Sequence, residues 1–452
     1  MPPLVDAVAI YHDLLTDSVA AASQAELERQ SKLHQLYFGD RTVCSVLRPR
    51  FLTIEQYRFL RSRIAALMPA FQKAYAAALE NSDFRSQFGL RPEEVQLLAT
   101  DPGFADPSPT ARLDSFFVSE RELKFTEYNA ETPAGAGYND VLAEAFYALP
   151  VMRAFLRQYD VYPPPARPHV LDALLDSFEQ WQGHRSDPPR IAILDWSEVP
   201  TVSEFRIFEQ YFRDRGIDCR IVDPRKVEYA DGGLRAGDFR FNLIYKRVLI
   251  SELIERGGLG HPVVRAVLDG AVCMVNGFRS KILYKKASFA VLSDERNARL
   301  FTETERLNIA DHIPWTRVVE DRRTEYRNQP IDLLSFIAEH REQLVLKPND
   351  EYGGKGIVLG WTVDGPTWEA AIRTAIETPY VAQERVKLPH EVYPSLQHGK
   401  LRLIDRMLDT NPYIGYRGVM AGCLTRISTE ALVNVTAGGG STVPTFLVEE
   451  RS

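Results

Sequence analysis

Two stretches of this chain place chemistry-bearing side chains at informative spacings. The first runs Leu344-Val-Leu-Lys-Pro-Asn-Asp-Glu-Tyr-Gly-Gly-Lys-Gly-Ile-Val-Leu359. An apolar run delivers Lys347 into a loop holding Gly353, Gly354, Lys355 and Gly356, and a second apolar run follows. Strand, glycine turn, strand is the hairpin form of a phosphate cradle. Glycines let backbone N–H groups approach phosphate oxygens, and a lysine adds a fixed charge. The GxxxxGK[ST] loop that opens a helix is absent. On turn signals alone, a plain hairpin with a surface lysine explains the segment equally well.

The second stretch reads Ala-Arg112-Leu-Asp114-Ser-Phe-Phe-Val-Ser-Glu-Arg-Glu-Leu-Lys-Phe-Thr-Glu127-Tyr-Asn129. Two β-like runs flank the charged turn Ser-Glu-Arg-Glu. Arg112 and Asp114 share a strand face, as do Glu127 and Asn129 on the next strand, and the turn can lay the pairs side by side. Asp, Glu and Asn oxygens on one face suit Mg²⁺, which takes one or two carboxylates, keeps waters and borrows phosphate oxygens. In isolation, a surface hairpin with alternating polar residues is the simpler reading.

Together, these segments resemble the circularly permuted ATP-grasp ligases, the glutathionylspermidine synthetases and eukaryotic-type glutathione synthetases. In that family an Arg-x-Asp and a Glu-x-Asn precede the nucleotide lysines. Here the Glu127/Asn129 pair lies roughly 220 residues before Lys347, which is the permuted order. The earlier nucleotide lysine of the family resembles Lys286 in Ser280-Lys-Ile-Leu-Tyr-Lys-Lys286, with Lys285 a close competitor. Read as a strand, that segment can turn only one of the two toward a cleft. Glu351 resembles the third metal ligand, and Tyr380-Val-Ala-Gln383-Glu384 the strand that holds adenine. Arg426 and Gly438-Gly439-Gly440-Ser441 resemble the late arginine and the small-residue lid. The resemblance runs from Arg112 to Pro444. No amidase-like Cys/His domain precedes it, and the late loop lacks the alanine-rich sequence of the glutathione synthetases.

The resemblance implies an ATP-dependent carboxylate–amine or carboxylate–thiol ligase working through an acyl phosphate. ATP and Mg²⁺ are the implied cofactors, and the partners are a small carboxylate and an amine. Asp114, Glu127, Asn129 and Glu351 form the implied metal set. Lys286, Lys347, Gly353, Gly354, Lys355, Gly356, Gln383 and Glu384 form the nucleotide set, while Arg112 and Arg426 attend the acyl centre. A kinase on the same scaffold, or a degenerate nucleotide-binding regulator, are the alternatives.

Behind these residues stand the elements that must carry them. Residues 4–100 read as helical, with apolar residues at three- and four-residue spacing. Asp-Pro-Gly-Phe-Ala-Asp-Pro-Ser-Pro then marks a boundary, Asn139 to Tyr159 reads as helix, and Tyr-Pro-Pro-Pro-Ala-Arg-Pro as linker. From Arg190 onward, strand, glycine-ended helix and two further strands resemble the Rossmann-like unit that precedes ATP-grasp nucleotide lobes. No GxGxxG implies a dinucleotide. Arg247, at the end of the third strand, reads as a surface arginine more readily than as a substrate group.

The expected architecture is a mixed α+β and α/β protein with a permuted ATP-grasp fold. Its parts are a helical region 1–105, a metal-ligand portion of the core 106–190, a Rossmann-like unit 191–275, and a nucleotide lobe with lid 276–452.

A chain of 452 residues with 45% hydrophobic content can bury a large core. Net charge −7 argues against nucleic acid or anionic membrane as main partner. Cys44, Cys219, Cys273 and Cys423 show neither CxxC spacing nor a disulfide framework. His390 and His398 read as solvated loop residues. The N-terminus shows no basic, apolar leader and no 18-residue apolar run occurs, so a cytoplasmic protein is expected. A homodimer stays open as the oligomeric state.

Overall fold

The computed structural model describes residues 2–183, 188–430 and 440–451. Its centre is a nine-stranded sheet built from distant parts of the chain. In spatial order its main path runs His390–Gln397, Lys400–Leu408, Val419–Ser428, Asn411–Gly415, Ala111–Ser119 and Glu122–Asn129. Ser441–Glu450 branches from Val419–Ser428 and also pairs with Arg50–Leu52 and Tyr159–Tyr162. The early hairpin is thus hydrogen-bonded to late strands, through Tyr413 opposite Arg112.

Most of residues 4–100 is helical, but Arg50–Leu52 is a buried strand lying parallel to Thr445–Leu447. Its partner is almost the whole chain away, so local periodicity could not reveal it. Thr53 then starts the long helix Ile54–Glu80 with a capping box to Gln56. That helix buries Leu60, Ile64, Leu67 and Phe71 against Leu113, Phe125 and Tyr128 of the sheet. The other side is covered by the helix Ala136–Ala148, which packs with Tyr393, Leu408, Ile427 and Phe446.

A separate four-stranded sheet orders Cys273–Val275, Leu243–Lys246, Ile191–Leu194 and Cys219–Val222, all parallel. Ile191–Leu194 and Leu243–Lys246 are buried throughout, as two-sided burial of a parallel sheet demands. Another four-stranded sheet is antiparallel: Thr316–Val318, Tyr380–Glu384, Leu344–Pro348 and Val358–Leu359. The glycine loop joins the last two. Among the described residues, no helix is long and apolar enough to cross a membrane.

Candidate active site

The early hairpin sets Arg112 opposite Asn129 and Asp114 opposite Glu127, as the two-residue spacings require. All four line one cleft, together with Lys347, Gly353, Gly354, Gln383, Glu384 and Arg426. Residues more than 300 positions apart in sequence therefore share one surface.

Lys347 leaves its strand between two acceptors, the Gln383 side-chain oxygen at 2.7 Å and the Thr126 carbonyl at 3.3 Å. Burial pushes its ammonium down to about 8, with Glu127 opposing and Lys286 adding to the shift. Gln383 also donates to the Thr316 hydroxyl at 3.1 Å, so its amide aims Lys347. Glu384 accepts from the Tyr326 hydroxyl at 2.8 Å and Arg327 at 3.1 Å. Beside them Val345, Leu359, Trp361, Val386 and Leu388 form an apolar wall, and Arg385 stacks on Trp361 at 4.2 Å.

Lys286 does not lie on a strand. It sits in the turn between the short helices Lys281–Tyr284 and Ala287–Ser293. Its Nζ donates to the Glu351 carbonyl at 2.6 Å and pairs with Glu127 at 3.0 Å. Burial opposes ionisation of Glu127, yet Lys286 and Lys347 outweigh it and hold the carboxyl down to about 2. Lys285 turns the other way, to Glu94 and Asp350, both at 2.8 Å. The strand expectation failed because helix ends, not pleat alternation, separate the two lysines.

Gly353, Gly354 and Gly356 have φ of 67°, 77° and 72°, the left-handed region that glycine enters freely. A Cβ on Gly356 would stand 2.7 Å from the Pro348 ring. Gly356, Lys355, Glu351 and Lys286 lie outside the cleft lining. Lys355 is 78% exposed, 3.5 Å from the Glu351 carboxylate. Of the late glycine run, Gly438 and Gly439 lie outside the described residues, and Ser441 opens the strand Ser441–Glu450.

The metal expectation divides the same way. Asn129 has a buried side-chain nitrogen with no hydrogen-bond partner. Rotating the amide places its oxygen there instead. With the Glu127 carboxylate beside it on the same strand face, this donor pair fits a Mg²⁺ ion that takes its other oxygens from water and phosphate. Asp114 is already engaged: Arg112 holds both its oxygens, at 2.6 and 2.9 Å, and Arg426 donates to one at 2.8 Å. Among the described residues no three His, Cys, Asp or Glu side chains converge as a metal cluster.

Asp409, which the sequence does not single out, also lines the cleft and is bound to Arg426. Arg247 is buried rather than at the surface, and it contacts Glu204 at 3.4 Å and the Pro133 carbonyl. Trp361, alone in a short turn, gave no periodic signal.

The chain superimposes on a glutathione synthetase-like effector (GSS30) from Globodera pallida with a TM-score of 0.60 and 10% identity, covering 96% of this chain and 98% of that one. That similarity is one of fold. A D-alanyl-alanine synthetase A from Vibrio cholerae matches over 49% of this chain and 68% of its own, at 14% identity and a TM-score of 0.28, too low to carry an argument. In sequence, an uncharacterized Synechocystis protein, sll0335, is 25% identical over 343 residues, 70% of this chain and 64% of that protein's length. No family model matches the chain.

Proposed function

We propose that this chain is an ATP-dependent ligase that joins a small carboxylate to an amine or thiol through an acyl phosphate, releasing ADP and phosphate. The observation that carries the reading is the convergence of Glu127, Asn129, Lys347 and Arg426 on one cleft, with Lys286 bridging Glu127 and the glycine loop. The early hairpin paired to late strands supports the circularly permuted order, and the parallel sheet over residues 191–275 supports a Rossmann-like unit before the nucleotide lobe.

A carboxylate becomes a competent electrophile only when its oxygen is turned into a leaving group. Phosphoryl transfer does this, and the protein contributes position and charge. In this reading Lys347 and Lys286 neutralise phosphate oxygens, Gln383 holds Lys347, and the apolar wall with Trp361 takes the base beside Glu384. Glu127 and Asn129 would hold Mg²⁺, which supplies charge neutralisation of the transferring phosphate. Arg426 stabilises the oxyanion when the amine attacks, with Arg112 fixing it through Asp114. The glycine loop excludes water from the mixed anhydride.

A screen of carboxylate and amine pools with ATP tests the reading. ADP and phosphate are expected, and hydroxylamine should trap the activated acid as a hydroxamate when the amine is withheld. AMP and pyrophosphate as products would overturn it. A stable phosphate ester without hydroxamate would assign a kinase instead.

A further inference from the structure

Behind the cleft lies a buried charge cluster that the proposed chemistry does not use. Lys246, Lys281, Lys285 and Glu94 are each 1% exposed and Glu131 is 0% exposed. Lys281 pairs with Glu131 at 3.1 Å and with Asp350 at 2.6 Å, while Lys285 pairs with Glu94 and Asp350, both at 2.8 Å. Lys246 reaches Glu131 at 3.3 Å. Three ammoniums and three carboxylates balance. They come from five separate segments: the helix Pro92–Leu97, the turn after the early hairpin, a parallel strand, the helix Lys281–Tyr284 with its C-cap Lys285, and the entry to the glycine loop.

That entry is anchored residue by residue. Asn349 accepts the Lys286 N–H at 3.1 Å on its carbonyl and the Ala287 N–H at 2.9 Å on its side chain. It also donates to the Phe88 carbonyl at 2.8 Å. Asp350 enters the buried cluster. The Glu351 carbonyl takes Lys286 at 2.6 Å on the cleft side. Beyond it the glycines at 353, 354 and 356 adopt left-handed φ and offer no side chain for anchoring. Residues 349–351 are therefore the buried anchor of the loop, beside the more exposed contacts of the Tyr352 hydroxyl with Glu252 at 3.4 Å and of the Tyr380 hydroxyl with the Gly356 carbonyl at 3.3 Å. A buried ionic cluster gains little stability over apolar packing, so its effect is on placement.

We propose that Asp350 is a positioning residue for nucleotide binding. The cluster around it, with Glu94 supplied by the N-terminal helical region, holds the glycine loop at phosphate-binding height. This rests on the nucleotide reading above.

The test uses the full chain and MgADP as probe, with two variants, Asp350→Asn and the paired Lys285→Met/Asp350→Leu, which leaves no lone buried charge. Titration calorimetry should show MgADP binding about tenfold weaker in both, the loss that follows displacement of one charge-assisted contact. Hydrogen exchange over residues 350–357 should quicken while the helix Ile54–Glu80 keeps its protection. Val264→Ala, a core change in the helix Pro262–Leu268, should lower Tm without altering MgADP affinity. Unchanged affinity in the folded paired variant overturns the positioning role alone. No MgADP binding by the wild-type chain would instead overturn the nucleotide reading.

Discussion

Asp409 accepts two hydrogen bonds from Arg426, one from its backbone N–H at 2.8 Å and one from its Nε at 2.6 Å. The Nη2 of the same guanidinium donates to Asp114 at 2.8 Å, and Asp114 in turn holds Arg112 in a bidentate pair. Arg112 uses its third nitrogen on the Ala134 carbonyl at 2.7 Å. Nη1 of Arg426 is thus the one guanidinium nitrogen of the pair without a partner among the described residues. Burial pushes the Asp409 carboxyl up to about 6, with Arg426 pulling against the shift and Asp114 adding to it.

The two arginines should therefore fail differently. Arg426→Ala is expected to slow amide formation by about 10²–10³-fold while ATP affinity stays near wild type. Arg112→Ala removes the bidentate partner of buried Asp114, which then keeps Arg426 alone, and should lower the unfolding free energy measured in denaturant titration. Equal losses of ATP affinity and turnover in Arg426→Ala would remove that residue from the acyl centre.

Lys285 and Lys286 divide the same way between stability and binding. Lys285 belongs to the buried cluster, paired with Glu94 and Asp350. Lys285→Ala leaves Lys281 to balance Glu94 at 3.6 Å and Asp350 at 2.6 Å as well as Glu131 in the interior, so a drop in Tm is expected. Lys286→Ala should leave Tm nearer wild type and weaken MgATP binding, because its partner Glu127 lines the cleft. Thermal melts beside nucleotide titrations read both, and reversed phenotypes would exchange the assignments.

What the sequence revealed follows from the range of each interaction. The hairpin pairs Arg112/Asp114 and Glu127/Asn129 were legible because strand alternation is local, and register then follows from a short turn. The glycine loop was legible because left-handed backbone selects glycine. Hidden were the partners set by tertiary packing. Asp409 gains meaning only beside Arg426, Gln383 only beside Lys347, and Lys285 only beside Glu94. Asp114 looked like a metal ligand since its type fits, and only the geometry reveals two guanidiniums already on it. The strand Arg50–Leu52 pairs with residues almost the whole chain away, beyond the reach of any window.

Glu127 gives a pH signature. Its carboxyl is held down to about 2 against burial by Lys286 and Lys347. A group whose folded value is depressed stabilises the fold above its ordinary range, and that contribution is lost as pH falls toward 2. Glu127→Gln should flatten the stability profile between about pH 4.5 and pH 2. The same variant should slow turnover about 10²-fold or more at neutral pH, since Glu127 would no longer help to hold Mg²⁺. An acid limb as steep as in the wild type would show that the carboxylate is not held by the lysines.

Lys347 gives the opposite limb. Burial lowers its ammonium to about 8, and in the proposed function the charged form is the one that binds phosphate. MgATP affinity should fall as pH rises through 8 in the free protein. Because bound phosphate favours the charged form, nucleotide binding near pH 8 should draw a proton from solvent. Calorimetry in buffers of different ionisation enthalpy measures that uptake directly. Gln383→Leu removes the 2.7 Å acceptor and frees Lys347 to wander, so it should weaken MgATP binding with little change in Tm. Lys347→Arg keeps the charge far above pH 8 and should abolish the alkaline limb and the proton uptake together. Persistence of both in that variant would assign the titration to another group.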